Sequence, residues 1–271
     1  MVDDFAQKEI AWLLSIGGIE ARCSQMLGRD ITLDGLLQVY DAVFLGMGLA
    51  GVNALGIMEP QAIGLRNAVE FIAELRQTID KSTVVVGRRV VVIGGGMTAV
   101  DASVQARKLG AEEVNLVYRR GPESMSSSTV EQRWAQTNGV TIRHCWTPME
   151  ILCEAGHVSG VRFAATGIRD GKLVLTGDIL TLAADMVLKA IGQTYVQEPA
   201  GASIRLQGGR IVTDEEGHSS LERVWAGGDC QYGGQDLTVV AVEHGKRAAI
   251  SIDASLRALN EHTSTREDHH G

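Results

Sequence analysis

Residues 90–101 read VVVIGGGMTAVD, an apolar run that halts at three glycines and resumes as a helix-forming segment. Four successive β-branched residues favour an extended strand buried on both faces. Beyond the glycines, MTAVDASVQARKLG has the composition and spacing of a helix. Gly94, Gly96 and Ala99 therefore supply G-x-G-x-x-A at a strand-to-helix junction. Gly94 serves the sharp turn, Gly96 lets a pyrophosphate approach the backbone, and Ala99 lets the helix pack closely on the strand. The stretch Gly94, Gly95, Gly96, Met97, Thr98 and Ala99 places its N–H groups at the positive end of that helix, where an anion binds. A dinucleotide is the expected ligand.

The next strand, EEVNLVYRR, bears on which one. A site selective for NAD usually ends this strand in Asp or Glu, which accepts from the ribose 2′-hydroxyl. Twenty-four residues on from Gly94 the chain instead has Tyr118, then Arg119 and Arg120. Guanidinium groups bind a 2′-phosphate through paired, charge-assisted hydrogen bonds. NADP(H) is favoured over NAD(H), and both stay open; the competing reading makes the pair two solvated loop arginines.

The alternation continues through a helix (VEQRWAQTNG) and a third strand (VTIRHCW), which predicts an α/β, doubly wound parallel sheet of Rossmann type. Residues 66–79 predict a helix by their 3.6 period, as do residues 6–16. IEARCSQML reads as a strand and connection, ITLDGLLQVY as a short helix, and YDAVFLGMG as a buried strand entering a turn. MEILCEAGHVSGVRFAATGI and KLVLTGDILTLAAD read as a β-meander, and ADMVLKAIG as a buried strand. GRIVTDEEG, VWAGGD and a helix over about 237–259 form a separate block before a polar tail, 258–271.

Aromatic residues make up only 4% of the chain, so Val, Ile, Leu and Ala must build the core. A formal charge of −8 argues against a broad nucleic-acid or anionic-membrane surface, so an anion must be bound locally. No apolar run reaches the eighteen residues of a membrane span. Cys23, Cys145, Cys153 and Cys230 are scattered without a CxxC pair, which predicts neither disulfide, metal nor cluster and fits a reducing cytoplasm. The absence of such a pair also disfavours disulfide reduction within the chain. No Tyr-x-x-x-Lys occurs, which disfavours a short-chain alcohol dehydrogenase. His144, His157, His218 and His244 are expected to be ordinary surface or loop residues.

GGGMTAVD, VYRR, KAIGQ and VWAGGDCQYGGQDLTVVAVEHGKRAA together resemble the glutamate-synthase small-subunit family of pyridine-nucleotide flavoproteins. EQRWAQTNGVTIRH and the C-terminal segment resemble most the NAD(P)H-accepting subunit of bacterial dihydropyrimidine dehydrogenases. The resemblance implies an FAD-binding domain interrupted by an inserted NAD(P)H domain. The insert would be 62–193, with 1–61 and 194–257 as parts of the FAD domain. It implies FAD contacts at Gly228 and Asp229 and at Leu237, Thr238 and Val239, where a helix begins; a turn and a core helix are the alternative. Gly46 and Gly48 would mark the passage into the insert, and Gly192 its end.

Hydride transfer from NAD(P)H to FAD, and onward to an iron–sulfur and flavin partner subunit reducing uracil or thymine, is the implied activity, with no catalytic side chain of this chain required. Glutamate-synthase small-subunit-like electron transfer and a non-catalytic NADP(H)-binding fragment are the alternatives. The family's first glycine fingerprint, which holds the FAD pyrophosphate, has no match before residue 94, so the FAD-binding domain is expected to be incomplete and to hold FAD weakly by itself. Glu123 and Met125 would sit in a loop near the nicotinamide, where SMSSST departs from the family's Met-Pro-Ala.

Overall fold

A computed structural model of the chain describes residues 5–197 and 203–267. The chain begins with α1 (Phe5–Ser15), α2 (Leu33–Val39), β1 (Val43–Leu45), β2 (Gly51–Val52) and β3 (Leu65–Asn67). Then come α3 (Ala68–Gln77), β4 (Arg89–Ile93), α4 (Met97–Lys108), β5 (Glu113–Tyr118), α5 (Thr129–Thr137) and β6 (Val140–His144). A meander follows, of β7 (Trp146–Glu154), β8 (His157–Arg169) and β9 (Lys172–Ala183), and then β10 (Met186–Lys189) and β11 (Gln193–Thr194). The last elements are β12 (Leu206–Gln207), β13 (Arg210–Ile211), β14 (Val224–Ala226) and α6 (Thr238–Glu267).

Two compact units result: Ala50–Thr194, and Met1–Leu49 with Tyr195–Gly271. The Ala50–Thr194 unit is built on a parallel sheet with strand order β3-β10-β4-β5-β6. From β4 the chain steps outward through α4 and α5, the crossover that a twisted parallel sheet allows. It then returns to the opposite side of β4, so strand order reverses between β4 and β10. Alternate residues divide the sheet's two faces. Val90, Val92, Leu116 and Leu188 pack beneath the helices with Phe71 and Ala99. Val91, Ile93, Val117 and Val187 face the other way, onto Ile151, Val161 and Phe163 of the antiparallel meander. The sheet is thus covered by helices on one face and by a second sheet on the other.

The start of α5 is fixed by a reciprocal cap: Glu131 N–H donates to Ser128 Oγ (3.2 Å), and Ser128 N–H donates to the Glu131 carboxylate (2.7 Å). The short antiparallel pair of β11 with β2 joins the two ends of the unit.

In the other unit, β1 and β14 pair in parallel over Leu33, Ile204, Ile211 and Cys230. Helix α1 buries none of its residues, and its Ile10, Trp12 and Leu13 are exposed.

Three sequence-based expectations change. Residues 65–67 form a strand rather than the start of a helix, because β10 supplies the hydrogen-bonding edge they need. The segment IEARCSQML contains no strand; Leu27 only bridges Ile31 across a turn in which the Asp30 carboxylate accepts from Met26 N–H (2.8 Å). Helix α6 runs through Glu267 rather than ending near 259, since neither Gly nor Pro follows Gly245 to stop it before that point. The rest of the polar tail lies outside the described residues.

Candidate functional site

At the end of β4, Gly94 N–H donates to Val117 O (3.0 Å), holding the turn to the neighbouring strand. A Cβ on Gly94 would lie 2.1 Å from Ala190 O, just past β10. A Cβ on Gly95 would lie 2.4 Å from the Tyr118 ring, and one on Gly96 would lie 3.1 Å from Ser126 Oγ. Ala99 is fully buried in the helix–sheet interface. These residues are small because three different walls close on them.

Gly96 caps α4 without a side chain to satisfy its first N–H groups. Among the described residues, the N–H groups of Gly95, Gly96, Met97 and Thr98 have no acceptor. Four unpaired donors at the positive end of a twelve-residue helix form an anion cradle. The cradle stands at the carboxyl ends of β4 and β10, where strand order reverses, which is where open parallel sheets bind ligands.

Arg119 and Arg120 leave the carboxyl end of the adjacent strand, β5. Their backbone is anchored: Thr166 Oγ1 donates to Arg119 O (2.7 Å), and Cys145 N–H donates to Arg120 O (3.1 Å). Their exposed side chains have no hydrogen-bond or ion-pair partner among the described residues. Two cations are therefore held at the same sheet end as the cradle, with their binding capacity unused. The fit is that of a phosphorylated dinucleotide: a seat lined by N–H groups, close backbone approach, and positive charge one strand away.

The loop after β5 closes this end. Ser127 N–H and Oγ both lie 3.1 Å from Gly95 O, and Tyr118 Oη donates to Ser124 O (2.6 Å). Met125 is buried in the core rather than turned outward, while Glu123 is exposed. His144, paired in register with Tyr118, has a buried Nε2 without a partner. Burial pushes its pKa down against the opposing pull of Glu123. It is therefore a half-buried strand residue, not a surface histidine. Asp101 in α4 is partly buried, and that burial pushes its pKa up, with the Arg76 charge opposing.

Gly192 has φ +94° and follows β10; its carbonyl accepts from Asn53 N–H (3.1 Å), which ties it to the β2 end of the unit.

In the other unit, the parallel pairing of β1 with β14 brings Gly46 and Gly48 to the same strand ends as Gly228 and Asp229. Gly48 and Gly228 have φ +61° and +71°, conformations that glycine adopts without strain. Gly228 N–H donates to His244 Nδ1 (3.1 Å), so His244 is a structural acceptor in α6 rather than a surface group. His218 likewise packs edge-on against Trp225.

The Asp229 carboxylate accepts no hydrogen bond among the described residues, and neither do the N–H groups of Thr238 and Val239 find an acceptor. Leu237 N–H bonds Gln235 O (2.8 Å), and the Leu237 and Val239 side chains are exposed. This end of α6 thus offers a carboxylate and two helix-start donors, chemistry suited to a ribityl hydroxyl and to developing negative charge on a flavin. Cys230 is buried, its thiol hydrogen-bonded to Leu45 O and Gly227 O, and burial pushes its pKa up. An inert structural thiol has this signature.

Sequence reasoning did not find Tyr118, Ser126, Ser127, Ala190 or His244 as parts of these surroundings. Tyr118 adjoins the arginine pair, but its packing on Gly95 depends on strand pairing. The run of serines was visible only as a departure from a pattern. All four cysteines are free, and no cluster of three or more metal-ligating side chains occurs among the described residues. No helix among them is long and apolar enough to cross a membrane.

The glutamate synthase (NADPH) small chain of Escherichia coli (strain K12) is 35% identical over 258 residues, covering 87% of this chain and 54% of its own length. The NAD-dependent dihydropyrimidine dehydrogenase subunit PreT of the same organism is 30% identical over 236 residues, covering 87% and 52%. The structure of Mycobacterium tuberculosis FprA in complex with NADPH shares the fold, with a TM-score of 0.69 at 18% identity, covering 88% of this chain and 68% of that one. The chain spans about a third to a half of the length of the curated relatives it matches. A sequence profile of the pyridine nucleotide-disulphide oxidoreductases matches residues 4–245, and the chain belongs to that family.

Proposed function

We propose that the chain is the electron-input part of an NAD(P)H-dependent flavoprotein oxidoreductase that prefers NADP(H) and serves an iron–sulfur partner subunit. Residues 62–193 bind the pyridine nucleotide, and 1–61 with 194–257 belong to the FAD-binding domain. When bound, the two cofactors supply hydride transfer from nicotinamide C4 to flavin N5 and one-electron delivery onward. The protein's part is to bind and orient.

Gly95, Gly96, Met97 and Thr98 offer N–H groups to the pyrophosphate, and Gly94 and Ala99 keep the seat narrow. Arg119 and Arg120 grip the 2′-phosphate. Asp229 accepts from the flavin's ribityl chain, and the start of α6 at Leu237, Thr238 and Val239 stabilises negative charge on the ring. Gly46, Gly48 and Gly192 shape the turns between segments. The observation that carries the reading is that four N–H groups and two guanidinium groups without partners among the described residues stand at one end of one sheet.

Calorimetric titration of the full chain with NADPH and NADH tests it. NADPH should bind more tightly. Because hydrogen bonds to charged groups contribute roughly 1.5–3 kcal/mol, the double variant Arg119→Ala, Arg120→Ala should lose about 10- to 100-fold in NADPH affinity while NADH changes little. Equal losses for both coenzymes, or no binding to the parent chain, would overturn it. Flavin absorbance of the purified chain reports separately on FAD.

For the final acceptor we propose pyrimidine reduction, on the segments around residues 131–144 and 224–249 and the likeness to PreT. The higher identity to the glutamate synthase small chain supports a second reading, electron supply for glutamate formation. Co-purification with an iron–sulfur partner, followed by NADPH oxidation with uracil or with 2-oxoglutarate and glutamine, separates the two.

A further inference from the structure

The loop from Gly121 to Ser128 lies against the cradle from the side opposite β10. Ser127 is 2% exposed, and its N–H and hydroxyl both engage Gly95 O. Holding Gly95 O against the loop engages an acceptor that would otherwise repel an anion.

Ser126, the next residue back, is exposed, and its hydroxyl has no partner among the described residues. That hydroxyl stands 3.1 Å from where a Cβ on Gly96 would be, beside the unpaired start of α4. An unspent donor at the rim of an anion seat has an evident use.

We propose that Ser126 Oγ donates a hydrogen bond to the dinucleotide pyrophosphate, making the 121–128 loop the second wall of the phosphate site. This rests on the reading that Gly94–Ala99 holds a pyridine dinucleotide. Ser126 is thus a binding residue common to both coenzymes, whereas Arg119 and Arg120 distinguish between them.

The test uses the full chain and measures affinity, not turnover. NADPH and NADH are titrated into the parent chain and into Ser126→Ala and Ser126→Thr, with melting temperature as a check on folding. Ser126→Ala should weaken both coenzymes by about tenfold, the scale of a hydroxyl-to-phosphate bond, and leave their affinity ratio unchanged. Ser126→Thr, which keeps the hydroxyl, should recover most of the loss. Unchanged affinity in Ser126→Ala, a loss confined to NADPH, or no rescue by threonine would each overturn the assignment. If the parent chain binds neither coenzyme, the dinucleotide reading itself fails, an outcome distinct from a parent that binds and a variant that matches it.

Discussion

Substituting Gly94 by alanine probes the junction on which the whole nucleotide site depends. The added Cβ would stand 2.1 Å from Ala190 O and 2.7 Å from its carbon. An unstrained carbon–oxygen contact is about 3.3–3.6 Å, so the ends of β4 and β10 must part by roughly 1.2–1.5 Å. The hydrogen bond from Ala190 N–H to Ile93 O (2.8 Å) lies directly in that path. Overpacking costs about 1–3 kcal/mol, a lost ladder bond about 0.5–1.5 and the positive φ of Gly94 (+154°) about 1–2, so the sum is roughly 3–6 kcal/mol. For a unit of this size that lowers the melting temperature by about 9–18 °C.

The control is Gly110→Ala. Gly110 also has positive φ (+107°), but a Cβ there would meet nothing within 4 Å. It incurs only the backbone penalty of about 1–2 kcal/mol. Thermal unfolding followed by circular dichroism, with NADPH titration, compares the two. Gly94→Ala should melt below Gly110→Ala and lose at least about tenfold in coenzyme affinity, while Gly110→Ala binds normally. If the two melt alike and Gly94→Ala still binds NADPH like the parent, the close approach of β10 to the turn is not what shapes the site.

Asp101→Asn should raise the melting temperature at pH 7: a carboxyl with raised folded pKa makes the folded state bind more protons, so stability falls as pH climbs above about 4. The difference between parent and variant should shrink in acid, and a pH-independent difference would refute the cause. His144 has the opposite sign. Its lowered pKa means stability is complete above the unfolded value of about 6.5 and declines as pH falls through the folded one, so His144→Leu should flatten the pH 5–7 slope in chemical denaturation. Leu116→Ala empties a fully buried position under α4 and should cost about 2–5 kcal/mol in urea unfolding. Ser128→Ala removes the α5 cap and should cost about 0.5–2 kcal/mol, with coenzyme affinity nearly intact.

By itself, the sequence determined the features that local chemistry can specify. A β-branched run ending in glycines makes β4 and the turn, and the periodicity after it makes α4. The absence of an acid after β5 leaves Arg119 and Arg120 at the strand end. Buried runs such as VVVI and MVLK carry enough apolar surface to be recognised as strands wherever they pair. Tertiary structure decided the rest. Leu65–Asn67 became a strand only because β10 offered an edge, and β10 itself came to lie beside β4 from almost a hundred residues away. The same pairing sets Ala190 against Gly94, the loop contact sets Ser126 against Gly96, and α6 brings His244 to Gly228. Propensity and periodicity act over a few residues, whereas these approaches depend on which apolar faces find one another after collapse. Close contact between residues distant in sequence is a property of packing, and no short stretch of chain encodes it alone.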